Sequence, residues 1–245
     1  MRLGIFSDIH GNLEALERAV SFMKEKGVTQ YICLGDIVGY GASPNECVDR
    51  VRELGCLVVA GNHDYAVANK TPVEYFNDTA QEAVAWTRAC ISPDALRYLE
   101  LLPLELKFRS MRLVHAAPSA PPKWRYVATI ADIALEIREL ARDESVCFIG
   151  HTHQTFASTK RVDRRLPQII RDTSLVVADG AKYLINVGSI GQPRDGDPRL
   201  CLAIFETRSS RIEFYRLEYD VKTAQRKIIK AGLPTTLAMR LARGL

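Results

Sequence analysis

Short apolar runs alternate with amphipathic stretches through the first part of the chain. Arg2 to Ser7 is apolar and leads into Asp8-Ile9-His10-Gly11-Asn12. Asn12 predicts the N-cap of a helix reaching about Lys26, with Leu13, Leu16, Val20 and Met23 as its buried stripe and Gly27 as its stop. Tyr31 to Leu34 is the next buried run, followed by Gly35-Asp36-Ile37-Val38-Gly39-Tyr40-Gly41. Ser43-Pro44 opens a helix to about Leu54, with Ser43 as cap and Pro44 in the first turn. Leu57 to Ala60 is a third run and ends in Gly61-Asn62-His63-Asp64. Strand alternating with helix predicts a parallel, right-handed, layered sheet. Ligands of such sheets lie beyond the carboxyl ends of the strands. All three polar clusters fall at those ends.

The middle of the chain reads differently. Tyr65 to about Leu101 is helical, with Ala83, Val84 and Trp86 on one stripe and Pro93 starting a further short helix. It carries no obvious chemistry and reads as a cap or a flank. Leu104 to Phe108 and Met111 to Val114 form a predicted hairpin ending in His115, and Pro118 to Pro122 is a proline-rich loop. Thr129 to Ala141 is an amphipathic helix. Val146 to Ile149 is a buried strand that delivers Gly150-His151-Thr152-His153, two imidazoles one residue apart.

Beyond His153 the helices stop. Phe156–Arg161, Leu175–Val177, Tyr183–Ile185, Leu200–Glu206 and Ile212–Leu217 are strand-like, and Asn186 to Arg194 is a glycine-punctuated loop. These strands predict a second, antiparallel or mixed sheet packed on the first. The expected fold is therefore α/β: a four-layer α/β/β/α sandwich, two mixed sheets flanked by helices. Residues 1–245 read as one domain, with 1–220 as the core sandwich and 221–245 as a basic helical tail interrupted at Gly232-Leu233-Pro234. The tail helices either pack back on the sheet or mediate contacts in a homodimer.

Composition narrows the function classes. At 245 residues, 47% hydrophobic and 25% charged, the chain has the make-up of a soluble globular protein. A net charge of +4 argues for neither nucleic acid nor membrane as a partner. No apolar run approaches a membrane span, and the N-terminus shows no signal-peptide pattern. The six cysteines contain no C-x-x-C pair, and Cys33, Cys147 and Cys201 sit in strand-like runs as small hydrophobes. A reduced, cytoplasmic setting is the expectation.

The chain has five histidines, each at or just past the end of an apolar run. Asp8, His10, Asp36, Asn62, His115, His151 and His153 together offer two carboxylates, four imidazoles and one amide oxygen. Such mixed N/O ligation suits Mn, Fe, Co, Ni or Zn better than Mg or Ca. The donors exceed what one tetrahedral ion needs. Two divalent ions roughly 3.5–4 Å apart, bridged by one carboxylate, would use them all. The bridge is expected from a central strand, which favours Asp36.

The ordered set Asp8-x-His10, Gly35-Asp36-x-x-Gly39, Gly61-Asn62-His63-Asp64, His115 and Gly150-His151-x-His153 resembles the calcineurin-like metallophosphoesterase superfamily. The Asn186-x-Gly188-Ser189 loop is similar to that of its small bacterial and archaeal phosphodiesterase branch. The resemblance implies that Asp8, His10, Asp36 and His153 hold one metal and that Asp36, Asn62, His115 and His151 hold the other. It makes His63 the proton donor to the leaving oxygen, as an imidazolium beside the phosphate, with Asp64 orienting it. The implied reaction is in-line attack on phosphorus by a hydroxide bridging two metals, on a nucleotide-type phosphoester. Dinucleoside polyphosphates and cyclic or model phosphodiesters are the implied substrates.

Departures from the family pattern are informative. Gly39-Tyr40-Gly41 stands where protein Ser/Thr phosphatases carry Asp-Arg-Gly, which argues against that activity. Ala116 follows His115 where glycine is usual. Phosphomonoesterase and nuclease are the alternative enzyme readings, the nuclease disfavoured by the small charge surplus. A non-catalytic scaffold of the same fold is the alternative from another class. Asn12, Tyr40, Gly188 and Arg194 are candidate substrate-binding residues. Tyr40, Trp124 and Tyr126 can stack on a nucleobase or simply pack. The basic residues Lys160, Arg161, Arg164, Arg165 and Arg171 form either a solvated face or an attractor for a polyanion.

Overall fold

The structure, a computed structural model, describes residues 1–161 and 163–245. The first part of the chain builds β1 (Arg2–Phe6), α1 (Leu13–Glu25), β2 (Gln30–Cys33), α2 (Pro44–Glu53), β3 (Leu57–Val58), α3 (Asn62–Val67), α4 (Asp78–Cys90) and α5 (Pro93–Glu100). Next come β4 (Glu105–Phe108), β5 (Met111–Val114), a 3₁₀ turn at Pro121–Lys123, α6 (Ile130–Arg138) and β6 (Val146–Ile149). The remainder forms β7 (Phe156–Arg161), β8 (Gln168–Ile170), β9 (Ser174–Val176), β10 (Ala181–Asn186), β11 (Leu200–Glu206), β12 (Arg211–Leu217), α7 (Val221–Lys230) and α8 (Thr235–Leu241).

The strands form two mixed six-stranded sheets, in the orders β3-β2-β1-β11-β12-β9 and β4-β5-β6-β10-β7-β8. The four-layer sandwich is as expected, but the sheets are not divided between the two halves of the chain. Antiparallel pairing of β1 with β11 brings β11, β12 and β9 into the first sheet, and parallel pairing of β5 with β6 takes the β4–β5 hairpin into the second. Apolar runs do not record their partners, so this interleaving leaves no local sequence signal.

Period-2 alternation makes the layers. Leu3 and Ile5 of β1 and Val146 and Phe148 of β6 meet between the sheets, with Ile32, Leu113, Ile185 and Phe205. Phe6 and Cys33 face the outer helices, against Leu16, Val20 and Met23 of α1 and Val48 of α2. Cys147 and Ile149 face Ile133 and Ile137 of α6. Strands covered on both sides need apolar residues at every position, which is why they read as unbroken runs. Asn12 caps α1 by accepting from the Ala15 N–H. The tail packs back, though not on a sheet: Ala224 and Ile228 of α7 and Leu237 and Leu241 of α8 pack with Ala80 and Ala83 of α4 and with Tyr40. Among the described residues, no helix is long and apolar enough to cross a membrane.

Candidate metal centre

The polar clusters after β1, β2, β3, β5 and β6 converge at one edge of the sandwich. Two groups of donor atoms form, each with its atoms within 4.8 Å of one another: Asp8, His10, Asp36 and His153, and Asp36, His115 and His151. Asp36 belongs to both. Asn62 joins the second group, its Oδ1 lying 3.2 Å from His115 Nε2. His153 falls in the first group and His151 in the second.

Strained backbone marks the site. Ten non-glycine residues have positive φ among those described, and Asp8, His10, Asp36, Tyr40, Trp124, His151 and His153 are seven of them. Each such conformation costs on the order of 1–3 kcal/mol and persists only where its surroundings impose it. Glycine is needed where these turns press together: a Cβ on Gly61 would run into the Asp36 carboxylate, and one on Gly150 into Ser7 and Asp8.

The ring nitrogens show what the cluster is built for. His10 Nδ1 donates to Val38 O at 3.2 Å and His153 Nδ1 to Gln192 O at 2.5 Å. A neutral imidazole that donates through one nitrogen presents a lone pair on the other. Two Nε2 lone pairs thus face each other 3.1 Å apart, with Asp8 Oδ1 at 3.2 Å from His153 Nε2 and Asp36 Oδ2 at 3.6 Å from His10 Nε2. Asp8 Oδ1 is buried and has no hydrogen-bond donor among the described residues. In the second group His115 Nδ1 donates to Leu34 O at 2.7 Å and His151 Nε2 to Trp124 O at 2.8 Å. That turns His115 Nε2 and His151 Nδ1 toward each other at 3.2 Å, with Asp36 Oδ2 at 3.3 Å from His115 Nε2. Acceptors crowded together in a buried place fit a cation, and mixed N/O donors fit a divalent transition ion.

Electrostatics separates the groups. Burial pushes the Asp8 carboxyl up, but the His153 and His115 imidazoles outweigh it and hold Asp8 well below the usual carboxylate range. Burial likewise opposes ionisation of Asp36, and His115 and His63 reverse it. Burial pushes His10 and His153 down, and takes His151 to about 3, so these rings are neutral at pH 7. For His115 burial also acts downward, but Asp36 and Asp8 overcome it and raise it to about 9. Without an ion, His115 carries a proton toward Asp36.

In the ligand-free site burial pushes His63 down to about 4, so the imidazolium expected there needs an anion beside the ring. The His63 Nδ1 is buried without a hydrogen-bond partner among the described residues. Asp64 does not orient His63. Its carboxylate accepts from the backbone N–H groups of Asp36, Ile37, Val38 and Gly61 at 2.8–3.2 Å, lacing two ligand loops together. Burial raises Asp64 to about 7, against those donors.

The cluster opens on a cavity of about 660 Å³. Tyr40, Tyr65, Phe76, Trp124 and Tyr126 give it aromatic walls, and Lys70, Lys123, Arg125 and Arg194 give it cations, while Asp36 is the one carboxylate among the described lining residues. The segment 68–77, unremarkable in sequence, supplies one wall. Of the four candidate substrate residues, Tyr40 and Arg194 line this cavity. Asn12 does not, since its amide donates to Gly191 O and Tyr219 Oη and its carbonyl caps α1. Gly188 is also away from it, under Thr155 and Cys201 with φ +75°. Sequence reading missed the scaffold role of the Asn186–Arg194 loop. Ile190 and Gly191 donate to Ser7 O and Asp8 O, Asn186 donates to Gly150 O, and Gln192 O fixes His153. Lys160, Arg161 and Arg164 lie on a separate surface hollow with Arg138, Asp143 and Glu144.

A sequence profile of the calcineurin-like phosphoesterase superfamily domain matches residues 1–210. The chain belongs to the calcineurin-like phosphoesterase superfamily. An uncharacterised protein of Methanocaldococcus jannaschii is 39% identical over 246 residues, 99% of this chain and 98% of that one. A metallophosphoesterase of Sphaerobacter thermophilus is 39% identical, with a TM-score of 0.86 over 100% of this chain and 99% of that one. A hypothetical protein of Pyrococcus horikoshii shares the fold, with a TM-score of 0.81 at 18% identity, covering 100% of this chain and 98% of that one. The family uses divalent metals, and the Asp/His cluster is a plausible site for them in this calcineurin-like phosphoesterase.

Proposed function

We propose that this calcineurin-like protein is a dinuclear-metal phosphodiesterase that hydrolyses small nucleotide-type phosphoesters. The observation that carries the reading is the pair of buried Asp/His groups sharing Asp36 at the floor of a basic, aromatic cavity. Asp8, His10, Asp36 and His153 would hold one ion, and Asp36, Asn62, His115 and His151 the other. When bound, divalent transition ions such as Mn, Fe, Co, Ni or Zn supply Lewis acidity, neutralising phosphoryl oxygens and acidifying water.

The chain supplies the rest. His63 donates its backbone N–H to Asp36 Oδ1 at 2.8 Å, which fixes the shared carboxylate and the imidazole relative to each other. A bound phosphoester raises the His63 pKa, because an adjacent negative charge favours the imidazolium. Its proton is then available at Nε2 for the leaving oxygen. The Tyr40 ring, 4.4 Å from His63 between centroids, and Phe76, at 4.9 Å, limit water on the ring's flanks. A volume of about 660 Å³ lies in the range of small-molecule sites. Aromatic walls suit a planar base and the cations suit its phosphates.

The test is a panel of mononucleotides, cyclic nucleotides, dinucleoside polyphosphates, 4-nitrophenyl diesters and single-stranded DNA, run on metal-loaded protein. Hydrolysis of nucleotide diesters ahead of monoesters and DNA is expected. Preference for monoesters or for DNA overturns the diesterase reading, and no hydrolysis of any ester supports the scaffold alternative. In parallel, His63→Ala is expected to keep its metal and to lose most turnover of diesters with poor leaving groups.

A further inference from the structure

The tail brings a second arginine to the rim of the site. Arg194 and Arg240 are 46 residues apart in sequence, yet each guanidinium carbon lies 5.7 Å from the centre of the Tyr40 ring. That is within the range of cation–π attraction. Arg194 lines the cavity beside His63 and His153, and its backbone N–H donates to His153 O at 3.3 Å. Its side chain meets no carboxylate among the described residues: NH2 donates to the Gln192 amide oxygen at 3.0 Å, and Nε is buried without a partner. Arg240, on α8, donates through Nε to Leu245 O at 2.5 Å. Burial and then the neighbouring Arg194 charge lower the Arg240 pKa, so the two guanidinium groups feel each other.

Two arginines gathered on one tyrosine are mutually repulsive, Arg194 meets no carboxylate among the described residues, and an anion beside the pair lowers the repulsion. Tyr40 itself is locked by the fold. It has φ +62°, is 6% exposed, and packs with Leu237 and Leu241 of α8 as well as with the His10 ring. Any movement of α8 relative to the cluster is therefore restrained by the same residue that carries both cations.

We propose that Arg194 and Arg240, mounted on Tyr40, form an anion subsite beside the metal centre that binds a second phosphoryl group of the ligand, next to the one held at the cluster. This rests on the phosphoester reading and narrows it. The preferred ligands carry two linked phosphates, with Arg194 as the inner contact and Arg240 as the outer one. The C-terminal helix then belongs to the specificity apparatus. A planar guanidinium recognises phosphate oxygens through paired N–H groups, which a lysine cannot reproduce.

The test compares binding of methylphosphonate and methylenediphosphonate, one phosphoryl group against two, by calorimetry on the metal-loaded protein with divalent ion in excess of the probe. The wild type is expected to prefer the bisphosphonate by about tenfold, the scale of one charge-assisted contact pair. Arg240→Gln is expected to lower that preference severalfold, Arg240→Lys to restore part of it, and Arg243→Gln, which removes an equal charge from the same tail, to leave it unchanged. Equal preference in wild type and Arg240→Gln, an equal loss in Arg243→Gln, or no binding of either probe overturns the subsite. Absence of ester hydrolysis with the Arg240-dependent preference intact would remove the phosphodiesterase reading and leave the anion subsite standing.

Discussion

The two donor groups share a carboxylate but are built differently. Asp8, His10 and His153 form the inner group, 0–2% exposed, tied by backbone to the Asn186–Arg194 loop on one side and to the Gly35–Gly41 turn on the other. The outer group is His115, Asn62 and His151, at 0%, 8% and 5% exposure, and its outermost ring is held by a single carbonyl of Trp124 on the cavity wall. Tyr126 stacks on that ring at 4.3 Å between centroids, and the Trp124 indole donates to Thr71 at 3.1 Å. The inner imidazoles are neutral and already offer their lone pairs, whereas His115 must shed a proton first. The difference teaches that the inner candidate ion position is set by the scaffold, whereas the outer one would be coupled to the cavity walls.

The largest effect tests what the groups have in common. Asp36→Ala removes the carboxylate both share. It is expected to lower metal content at both positions and to reduce turnover by more than about a hundredfold, beyond the range of residues that merely orient a ligand. Metal analysis of the purified variant checks this, and retention of a full complement would break the shared-carboxylate account.

Asp64 sets the relation between the Asp36 loop and the Gly61 loop. Asp64→Ala strands four backbone N–H groups in a buried region, at a cost of about 1–3 kcal/mol for each one that stays dry. A stability loss of about 4 kcal/mol or more in urea unfolding is expected, a size reserved for broken buried networks. A loss under about 1 kcal/mol would show that the lacing is dispensable.

The groups should also differ in their response to pH. His115, raised from 6.5 to about 9, is protonated in the ion-free protein at pH 7.5. Its contribution to stability is fully present below 6.5 and is lost as pH rises through about 9. A metal ligand must be deprotonated, so filling the outer group at pH 7.5 is expected to release about one proton and filling the inner group almost none. Calorimetry in buffers of different ionisation enthalpy measures this. Equal release from the two steps would erase the distinction.

The smallest effect sharpens it. Trp124→Ala keeps the carbonyl but frees the loop from Thr71. It is expected to weaken the outer ion by about tenfold, as orienting groups do, and to leave the inner one unchanged. Equal weakening of both would mean that the wall supports the whole centre.

Much of the site was legible in sequence because ligands placed after successive strands of a layered sheet must share one edge. Asp8, Asp36, Asn62 and His115 needed only strand ends and their order. The Asp36 bridge was an expectation from its strand, and the split of His151 from His153 one that the family resemblance implied. Side-chain hydrogen bonding was not legible. Asp64 beside His63 looks like an acid orienting a base, but the carboxylate turns to four amides that only the folded loops present. Asn12 can cap a helix or face a ligand, and the cap wins because α1 starts there. The exchange of strands between sheets depends on pairing over nearly 200 residues, which local pattern does not encode. The approach of Arg240 to Tyr40 depends on how the tail helices dock, equally invisible along the chain.

The central claim is that two ions sit side by side on one carboxylate. Titrating metal-free protein with Mn²⁺ and following it by electron paramagnetic resonance tests this directly. The account predicts uptake of two ions per chain, with the isolated six-line signal of the first replaced by an exchange-coupled spectrum as the second binds. Saturation at one ion, or two ions whose signals simply add, would contradict it.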